Sequence, residues 1–218
     1  VERGGGDSRN DVWAQPMPPI TVPEGMIHGF MRDLDGCFNL NGLRADEGSE
    51  NTLAHERFRR LLRALELDVD LVETITDWLD AGSVARTGGA EDAFYATLDP
   101  PRRTANAPFV HVSELRAVAG IDAAVYERLM PHVCARPDTR ATLNINTASP
   151  ELLMGLDERI TLALARRLHA GGRANYTLEG FRDALASEGI EPLPVLTDIG
   201  VESYYFVAEA EMVLGEVP

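Results

Sequence analysis

A group of carboxylates near the middle of the chain is the feature most able to do chemistry. Asp77 and Asp80 lie three residues apart, so on a helix they share one face, and Gly82 predicts that this helix ends just after them. Negative charge is unfavourable there because the helix dipole is negative at its C-terminus. A calcium ion, which takes about six to eight oxygen ligands, would relieve the repulsion. The candidate ligands are Asp77, Asp80, Glu91, Asp92 and Asp99.

The same carboxylates can also be explained as a solvated acidic loop that binds no metal. A glycine-rich loop with several carboxylates is soluble by itself, and the spacing of these residues is not that of an EF-hand. The residues alone therefore leave two interpretations open, a calcium site and a solvated acidic loop.

Catalytic motifs are absent from the sequence. It contains no GxSxG, no HExxH and no glycine-rich phosphate-binding loop. The histidines are far apart and lack the spacing of metal ligands or of a catalytic base with its nucleophile. They are His28, His55, His111, His132 and His169. We predict that the protein is not an enzyme.

The two cysteines, Cys37 and Cys134, do not form a CxxC pair, which argues against a zinc site or thioredoxin-like chemistry. They are either two buried free thiols or one disulfide formed in an oxidising compartment. A disulfide would close a loop of 97 residues and stabilise the fold by about 4–5 kcal/mol.

One short pattern occurs twice, as Asn39-Leu40-Asn41 and Asn144-Ile145-Asn146. Asparagine is unfavourable inside strands, but its side chain can cap a helix or bond to a crossing backbone. We predict that these asparagines fasten the junction where a helical block leaves and rejoins a sheet.

The stretch Leu152–Leu168 is similar to a helix-hairpin-helix, a module that often binds DNA. Its turn, Gly155–Glu158, has a single glycine and two carboxylates where a phosphate would approach. The chain has 35 acidic and 20 basic residues, all of the latter arginine, and a net charge of −15. Because this charge repels phosphate backbones, we predict no nucleic-acid partner and keep a helix-hairpin-helix DNA-binding protein as the alternative.

Membrane signals are also absent from the sequence. No apolar window reaches the roughly 18 residues of a membrane span, and no secretory signal opens the chain. The glycine-rich residues Val1–Asn10 are typical of a linker. We expect any membrane anchor to precede Val1.

Hydrophobic periodicity predicts the elements that position these residues. Period-two alternation predicts strands at Ile27–Asp33, Cys37–Asn41, Leu143–Asn146 and Phe206–Leu214. Helical spacing begins near Asn51 and, with caps at Asp70, Ser113 and Asp122, predicts four short helices between the cysteines. Three more helices are predicted at Pro150–Leu156, Glu158–His169 and Leu178–Ser187.

This order of elements predicts an α+β fold. A helical domain at 47–138 is inserted into a domain built from 1–46 and 139–218, which carries an antiparallel sheet.

Several motifs together resemble one known family. They are WAQPMPPI with Gly25, DLDGCFNLNGL at Asp33–Leu43, DWLDAG at Asp77–Gly82, GGAEDAFY at Gly88–Tyr95, Ala105-Asn106, Ser113–Leu115, and LNINTASPELL at Leu143–Leu153. In this order and spacing the sequence resembles the K-type minor pseudopilin of the bacterial type II secretion system. The resemblance extends from Trp13 to Leu214.

The resemblance implies a pilin-like domain with an inserted helical domain and a non-enzymatic role at the tip of the pseudopilus. The implied partners are the I-type and J-type minor pseudopilins, and the pseudopilus shaft through an N-terminal helix absent from this sequence. It implies a periplasmic domain of a single-pass inner-membrane protein in a Gram-negative bacterium, which meets the membrane only through that helix.

The resemblance also bears on the candidate sites. It implies calcium bound by acidic residues, and it favours the disulfide because some relatives carry cysteines at these positions. The family often has a further acidic residue where this chain has Gly82, so one calcium ligand is expected to be lost or moved.

Overall fold

An antiparallel sheet and a helical body form the structure, which confirms the predicted α+β class. The computed structural model describes residues 6–23, 25–44 and 50–214. The strands are β1 (Ile20–Val22), β2 (Gly25–Asp33), β3 (Phe38–Asn39), β4 (Val133–Cys134), β5 (Leu143–Asn144), β6 (Ile199–Gly200) and β7 (Phe206–Leu214). The helices are α1 (Thr52–Ala64), α2 (Leu71–Leu79), α3 (Asp92–Tyr95), α4 (Ala123–Leu129), α5 (Pro150–Leu156), α6 (Leu162–His169), α7 (Leu178–Ser187) and α8 (Pro192–Leu196). Within the described ranges, no helix has the length and apolar composition to cross a bilayer.

The main sheet joins the two ends of the chain. Its order is β1-β2-β7, and both pairs are antiparallel. Strand β2 pairs with β7 along its full length, with Ile27 opposite Met212 and Asp33 opposite Phe206. The prediction that N-terminal and C-terminal segments share one sheet, with helices between them, is confirmed.

Two short pairs of parallel strands lie where the chain enters the helical body and where it returns toward the main sheet. Strand β3 pairs with β4, and β5 pairs with β6. Each pair begins beside one of the two Asn-x-Asn patterns, at Phe38 and at Leu143. The chain therefore repeats one local arrangement at both ends of the helical body.

Most helices start where a polar side chain caps them. Asn51 accepts a hydrogen bond from the N–H of Ala54 at the start of α1, and Asp122 accepts one from Val125 at the start of α4. Such caps satisfy N–H groups that have no partner within the helix. The predicted bounds of α5 and α7 are correct, and both helices carry a Ser or Thr cap.

The helix cap predicted at Asp70 is wrong. Asp70 already has helical backbone angles and makes no capping bond, and its N–H is bonded to the carboxylate of Asp68. The same helix, α2, was predicted to continue to Gly82 but ends at Leu79. A carboxylate can bond to nearby backbone, and Asp80 accepts the N–H of Gly82, which turns the chain out of the helix.

Other predicted boundaries also differ from the structure: β2 begins at Gly25 rather than Ile27, and β5 ends at Asn144 rather than Asn146. The second Asn of Cys37–Asn41 lies in a 3-10 turn at Leu40–Leu43 rather than in a strand. His111, not Ser113, caps the 3-10 helix Val112–Ala117. Helix α6 begins only after its cap, Thr161. At the 3-10 turn and at these two helices, a side chain or a turn close to the element, rather than its hydrophobic period, sets the boundary.

One hydrophobic core runs through the helical body. It contains Phe58 and Ile75 of the predicted insert together with Leu153, Phe181 and Val195 from the C-terminal part. The predicted boundary between 46 and 47 lies outside the described residues, and the division at 138 and 139 stays a prediction.

Candidate acidic site, junction and assembly surface

The acidic segment is organised around one arginine. Arg86 donates from Nη1 to Asp77 Oδ1 at 2.6 Å and to Asp80 Oδ2 at 2.5 Å, and its backbone N–H bonds to Asp77 Oδ2 at 3.1 Å. Its Nε lies 3.9 Å from carboxylate oxygens of Glu50 and Glu73. The guanidinium thus supplies the positive charge that the C-terminal end of α2 lacks.

Glu91 is the third carboxylate of this site. It is 4% exposed, and its Oε1 is buried without a hydrogen-bond partner. Burial raises its pKa, and the charges of Asp77 and Asp80 raise it further. Burial also raises the pKa of Asp77, although the bonds from Arg86 oppose that shift. The surroundings of Asp77 and Glu91 therefore disfavour their charged forms.

The other two candidate ligands have different surroundings. Asp92 accepts the backbone N–H and the hydroxyl of Thr104 at 2.9 Å each, and these bonds lower its pKa. Asp99 is exposed, and within the described ranges no hydrogen bond or ion pair links it to the other residues of the acidic site. The structure brings Asp77 and Asp80 together at Arg86, and Glu91 is near enough to these two carboxylates for their charges to raise its pKa.

The oxygen donors of this site are of the type that calcium prefers, but they are not arranged as a formed calcium site. Within residues 6–23, 25–44 and 50–214, no three His, Cys, Asp or Glu side chains are already placed to hold a metal ion. Hard carboxylate oxygens are nevertheless what calcium prefers, and the unpartnered oxygen of Glu91 is a free donor. Asp77, Asp80 and Glu91 therefore have the donor chemistry that calcium takes, with Nη1 of Arg86 between the first two.

Sequence reasoning missed Arg86, although a signal was present. It is the only basic side chain between Arg63 and Arg102, in a stretch rich in Asp and Glu. A single positive charge among so many carboxylates is expected to pair with some of them.

A disulfide joins Cys37 to Cys134, so the interpretation that the resemblance favoured is confirmed. The Cα atoms are 5.9 Å apart, and Cys134 belongs to β4, whose partner β3 begins directly after Cys37. The bond therefore closes the base of the helical excursion.

The asparagines bond to distant backbone, as predicted. Asn41 donates to the carbonyl of Phe109 at 2.9 Å and accepts its N–H at 2.8 Å. Asn146 makes the same two bonds to Tyr176, at 3.0 and 2.7 Å. In both patterns the first Asn accepts the N–H of the second. The two patterns are one structural device used twice, and each holds the segment that leads into a later helix.

A buried polar network ties the sheet to this junction. Asp35 forms an ion pair with the buried Arg136 and accepts the backbone N–H groups of Tyr204 and Tyr205, just before β7. Asp33, at the end of β2, accepts the hydroxyl of Ser203 at 2.7 Å. Because these side chains are buried, each needs its partner, and the network fixes β7 beside β2.

The main sheet exposes an apolar face. Cross-strand partners lie on the same side of a sheet, so Ile27, Met31, Ala208, Ala210 and Met212 share one face, called here the apolar sheet face. Met212 is 46% exposed and Met31 is 37% exposed. An apolar surface of this kind is typical of an interaction site.

The N-terminal proline-rich segment covers only part of that face. Met17 bonds to Gly29 of β2, and a Cβ added to Gly29 would lie 2.5 Å from the Met17 side chain. Trp13 meets Phe206 edge to face, with ring centroids 4.9 Å apart. The rest of the apolar sheet face remains exposed.

Helices α5 and α6 form the helical hairpin expected from the sequence. In its turn, Asp157 accepts the backbone N–H of Arg159 at 2.9 Å and pairs with its guanidinium. The amide that would meet a phosphate is therefore already bonded to a carboxylate. Nothing in this turn favours nucleic-acid binding.

Comparison with known proteins gives concordant results. The family "Type II secretion system (T2SS), protein K" matches residues 36–138 and 143–198. Type II secretion system protein K of Aeromonas hydrophila is 34% identical over 94% of this chain and 67% of that protein, and the Klebsiella pneumoniae protein is 33% identical over 93% and 66%. The chain thus spans about two thirds of these relatives.

The fold has a solved counterpart. A chain in the crystal structure of the GspK-GspI-GspJ complex from the type 2 secretion system of enterotoxigenic Escherichia coli superposes with a TM-score of 0.84. The match covers 99% of this chain and 79% of that one, at 27% identity.

Proposed function

The chain belongs to the protein K family of the type II secretion system, and from that premise we propose that it is the tip subunit of a pseudopilus. In this role it joins I-type and J-type minor pseudopilins and nucleates the fibre. The observation that carries the proposal is the fold match over 99% of the chain to a protein solved in a GspK-GspI-GspJ complex.

The proposed mechanism is mechanical and involves no catalysis. The helical body between β2 and β7 is bulky, so it blocks another subunit from stacking above it. The apolar sheet face makes the partner contacts, because burying the exposed side chains of Met31 and Met212 drives association. The protein works in the periplasm and is held in the inner membrane by an N-terminal helix, and the disulfide supports an oxidising compartment.

A mixing experiment tests this assembly. The protein is combined at micromolar concentration with the soluble domains of the I-type and J-type pseudopilins of its own system, and complex formation is followed by size-exclusion chromatography. We expect one co-eluting complex. We expect Met212→Glu to weaken it about tenfold or more, because a charge enters an apolar interface.

Leu193→Glu is the matched control, since Leu193 is 74% exposed on α8, in the helical body. It should leave the complex intact. Separate elution of the wild-type protein from both partners would contradict the assembly role. Equal loss in the two variants would contradict the placement of the interface on the sheet.

We also propose that Asp77, Asp80 and Glu91 bind calcium. When bound, the ion neutralises carboxylates that burial leaves poorly solvated. Calcium at about one hundred times its Kd should raise the Tm of the protein by about 5–10 °C. Differential scanning fluorimetry in the presence of calcium, magnesium or chelator measures this shift. Asp77→Asn should abolish the shift in Tm, whereas the control Asp183→Asn, at an exposed site, should keep it. If calcium leaves the Tm of the wild-type protein unchanged, the calcium site is refuted.

A further inference from the structure

Arg86 occupies the point where a calcium ion shared by Asp77 and Asp80 would sit. One nitrogen, Nη1, lies 2.6 Å from Asp77 Oδ1 and 2.5 Å from Asp80 Oδ2. Calcium binds carboxylate oxygens at about 2.3–2.6 Å. A calcium ion held by these two oxygens would therefore need nearly the same volume that Nη1 fills.

We infer that Arg86 is a tethered cation that competes with calcium for these two carboxylates and so sets the calcium affinity of the protein. This inference rests on the calcium site proposed above and adds how that site is regulated. With Arg86 in place, the charge of Asp77 and Asp80 is compensated without a metal. When calcium enters, the guanidinium leaves.

The structure provides a place for the displaced guanidinium. The Nε of Arg86 is 3.9 Å from Glu50 Oε2 and from Glu73 Oε2, longer than a hydrogen bond but within the range of an ion pair. A small movement of the side chain toward these carboxylates exchanges one ion pair for another. The exchange therefore does not leave a buried guanidinium unpaired, which would be costly.

The backbone of the loop stays attached while the side chain moves. The N–H of Arg86 bonds to Asp77 Oδ2, the oxygen that the guanidinium does not use. Gly89 packs so closely that an added Cβ would lie 2.0 Å from the same oxygen. Departure of the guanidinium thus frees Asp77 Oδ1 and Asp80 Oδ2 without unfolding the loop.

A third donor completes the argument. Glu91 is 4% exposed, and its buried Oε1 has no hydrogen-bond partner. The guanidinium makes no hydrogen bond to Glu91 among the contacts of the described residues. Calcium, with its larger number of ligands, satisfies this oxygen as well.

Calcium titration calorimetry on matched variants tests the competition. Arg86→Gln removes the competing charge and should bind calcium at least about tenfold more tightly than the wild type, while becoming more sensitive to chelator in thermal melts. Arg86→Lys keeps the positive charge but places it differently, and its calcium affinity should lie between those of the wild type and Arg86→Gln. Arg128→Gln is the control, because Arg128 pairs with the exposed Glu66 away from the acidic site.

The outcomes separate the two proposals. Equal calcium affinity in the wild type and in Arg86→Gln would overturn the competition and leave the calcium site standing. Absence of binding in both would overturn the calcium site. If Arg86→Gln does not fold, NMR of the arginine side-chain N–H groups in the wild-type protein tests the competition instead. Calcium should shift the signal of one arginine side chain that is protected from solvent exchange. An unchanged spectrum at saturating calcium would refute the displacement of Arg86.

Discussion

At the scale of single residues, buried polar side chains make hydrogen bonds of the kind that a neighbouring strand would otherwise make. Each second asparagine of the two Asn-x-Asn patterns, Asn41 and Asn146, exchanges both an N–H and a carbonyl bond with a distant residue, as a neighbouring strand would. A side-chain amide has the same donor and acceptor as a peptide group, so it can replace one. This explains why asparagine occurs beside strands that it would otherwise weaken.

His132 makes stability depend on pH. Its Nδ1 is 2.9 Å from Ser149 Oγ, the residue that caps α5, and burial lowers the pKa of His132. Because the folded protein favours neutral imidazole, this contribution to stability is present above a pH of about 6.5 and is lost as the pH falls through the lowered pKa. His132→Asn should therefore flatten the fall of Tm between about pH 7 and pH 5.

Thermal melts at several pH values measure this, with His111→Asn, at an exposed helix cap, as the control. The difference between variant and wild type cancels the contributions of Asp77 and Glu91, whose raised pKa values act in the opposite direction. Parallel curves for His132→Asn and the wild type would show that His132 does not cause the loss.

At the scale of elements, arginines cap the C-terminal ends of helices other than their own. Arg57 donates to the carbonyls of Val195 and Thr197 at the end of α8, at 3.1 and 2.6 Å. In the same way, Arg44 bonds to Leu79 O of α2, Arg60 to Leu156 O of α5, and Arg128 to Leu65 O after α1. The last carbonyls of a helix have no partner within it, and the dipole is negative there, so a guanidinium from a neighbouring element satisfies both.

Arg57→Met tests this role on a buried arginine. Burial lowers the pKa of Arg57 to about 10, and the substitution leaves two carbonyls without their donor. We expect a loss of about 2–4 kcal/mol in the free energy of unfolding, measured with urea. Arg60→Met, on the same helix and bonded at 3.4 Å, should cost less than about 1 kcal/mol. Equal midpoints for the two variants would contradict the assignment.

At the scale of the whole molecule, contacts between distant parts of the chain hold the ends of the helical excursion together. Strand β2 pairs with β7, the disulfide joins residues 97 apart, and the hydrophobic core includes helices from both sides of the predicted boundary at 138. Closing such long loops costs conformational entropy, which a covalent bond removes from the unfolded state. A rigid base for the helical body suits the proposed role of capping a fibre.

Reduction of the disulfide tests this constraint. The chain has two cysteines, both in this bond, so a reductant breaks one crosslink and no other. The free energy of unfolding should fall by about 4–5 kcal/mol in urea titrations with and without dithiothreitol. The double substitution of Cys37 and Cys134 by serine should reproduce the reduced protein. Stability unaffected by reductant would show that packing alone holds the excursion closed.

The sequence by itself determined the elements whose physics is local. Hydrophobic period and caps were sufficient for α5, α7 and the bounds of β7, and the order of elements was sufficient for the α+β class. Both periodicity and capping act within a few residues, so one stretch of sequence contains all the information needed. The disulfide was favoured by the family resemblance, because the cysteine spacing alone leaves two free thiols open as an alternative.

The tertiary structure decided which charges compensate one another and where the backbone turns. The sequence marked Asp77 and Asp80 as a conflict with the helix dipole, but only the folded loop brings Arg86 between them. The end of α2 moved to Leu79 because Asp80 bonds to Gly82, a choice between two local bonds that the hydrophobic pattern does not contain. Ion pairs and side-chain bonds depend on the three-dimensional path of loops, and that path is set by the packing of the whole chain.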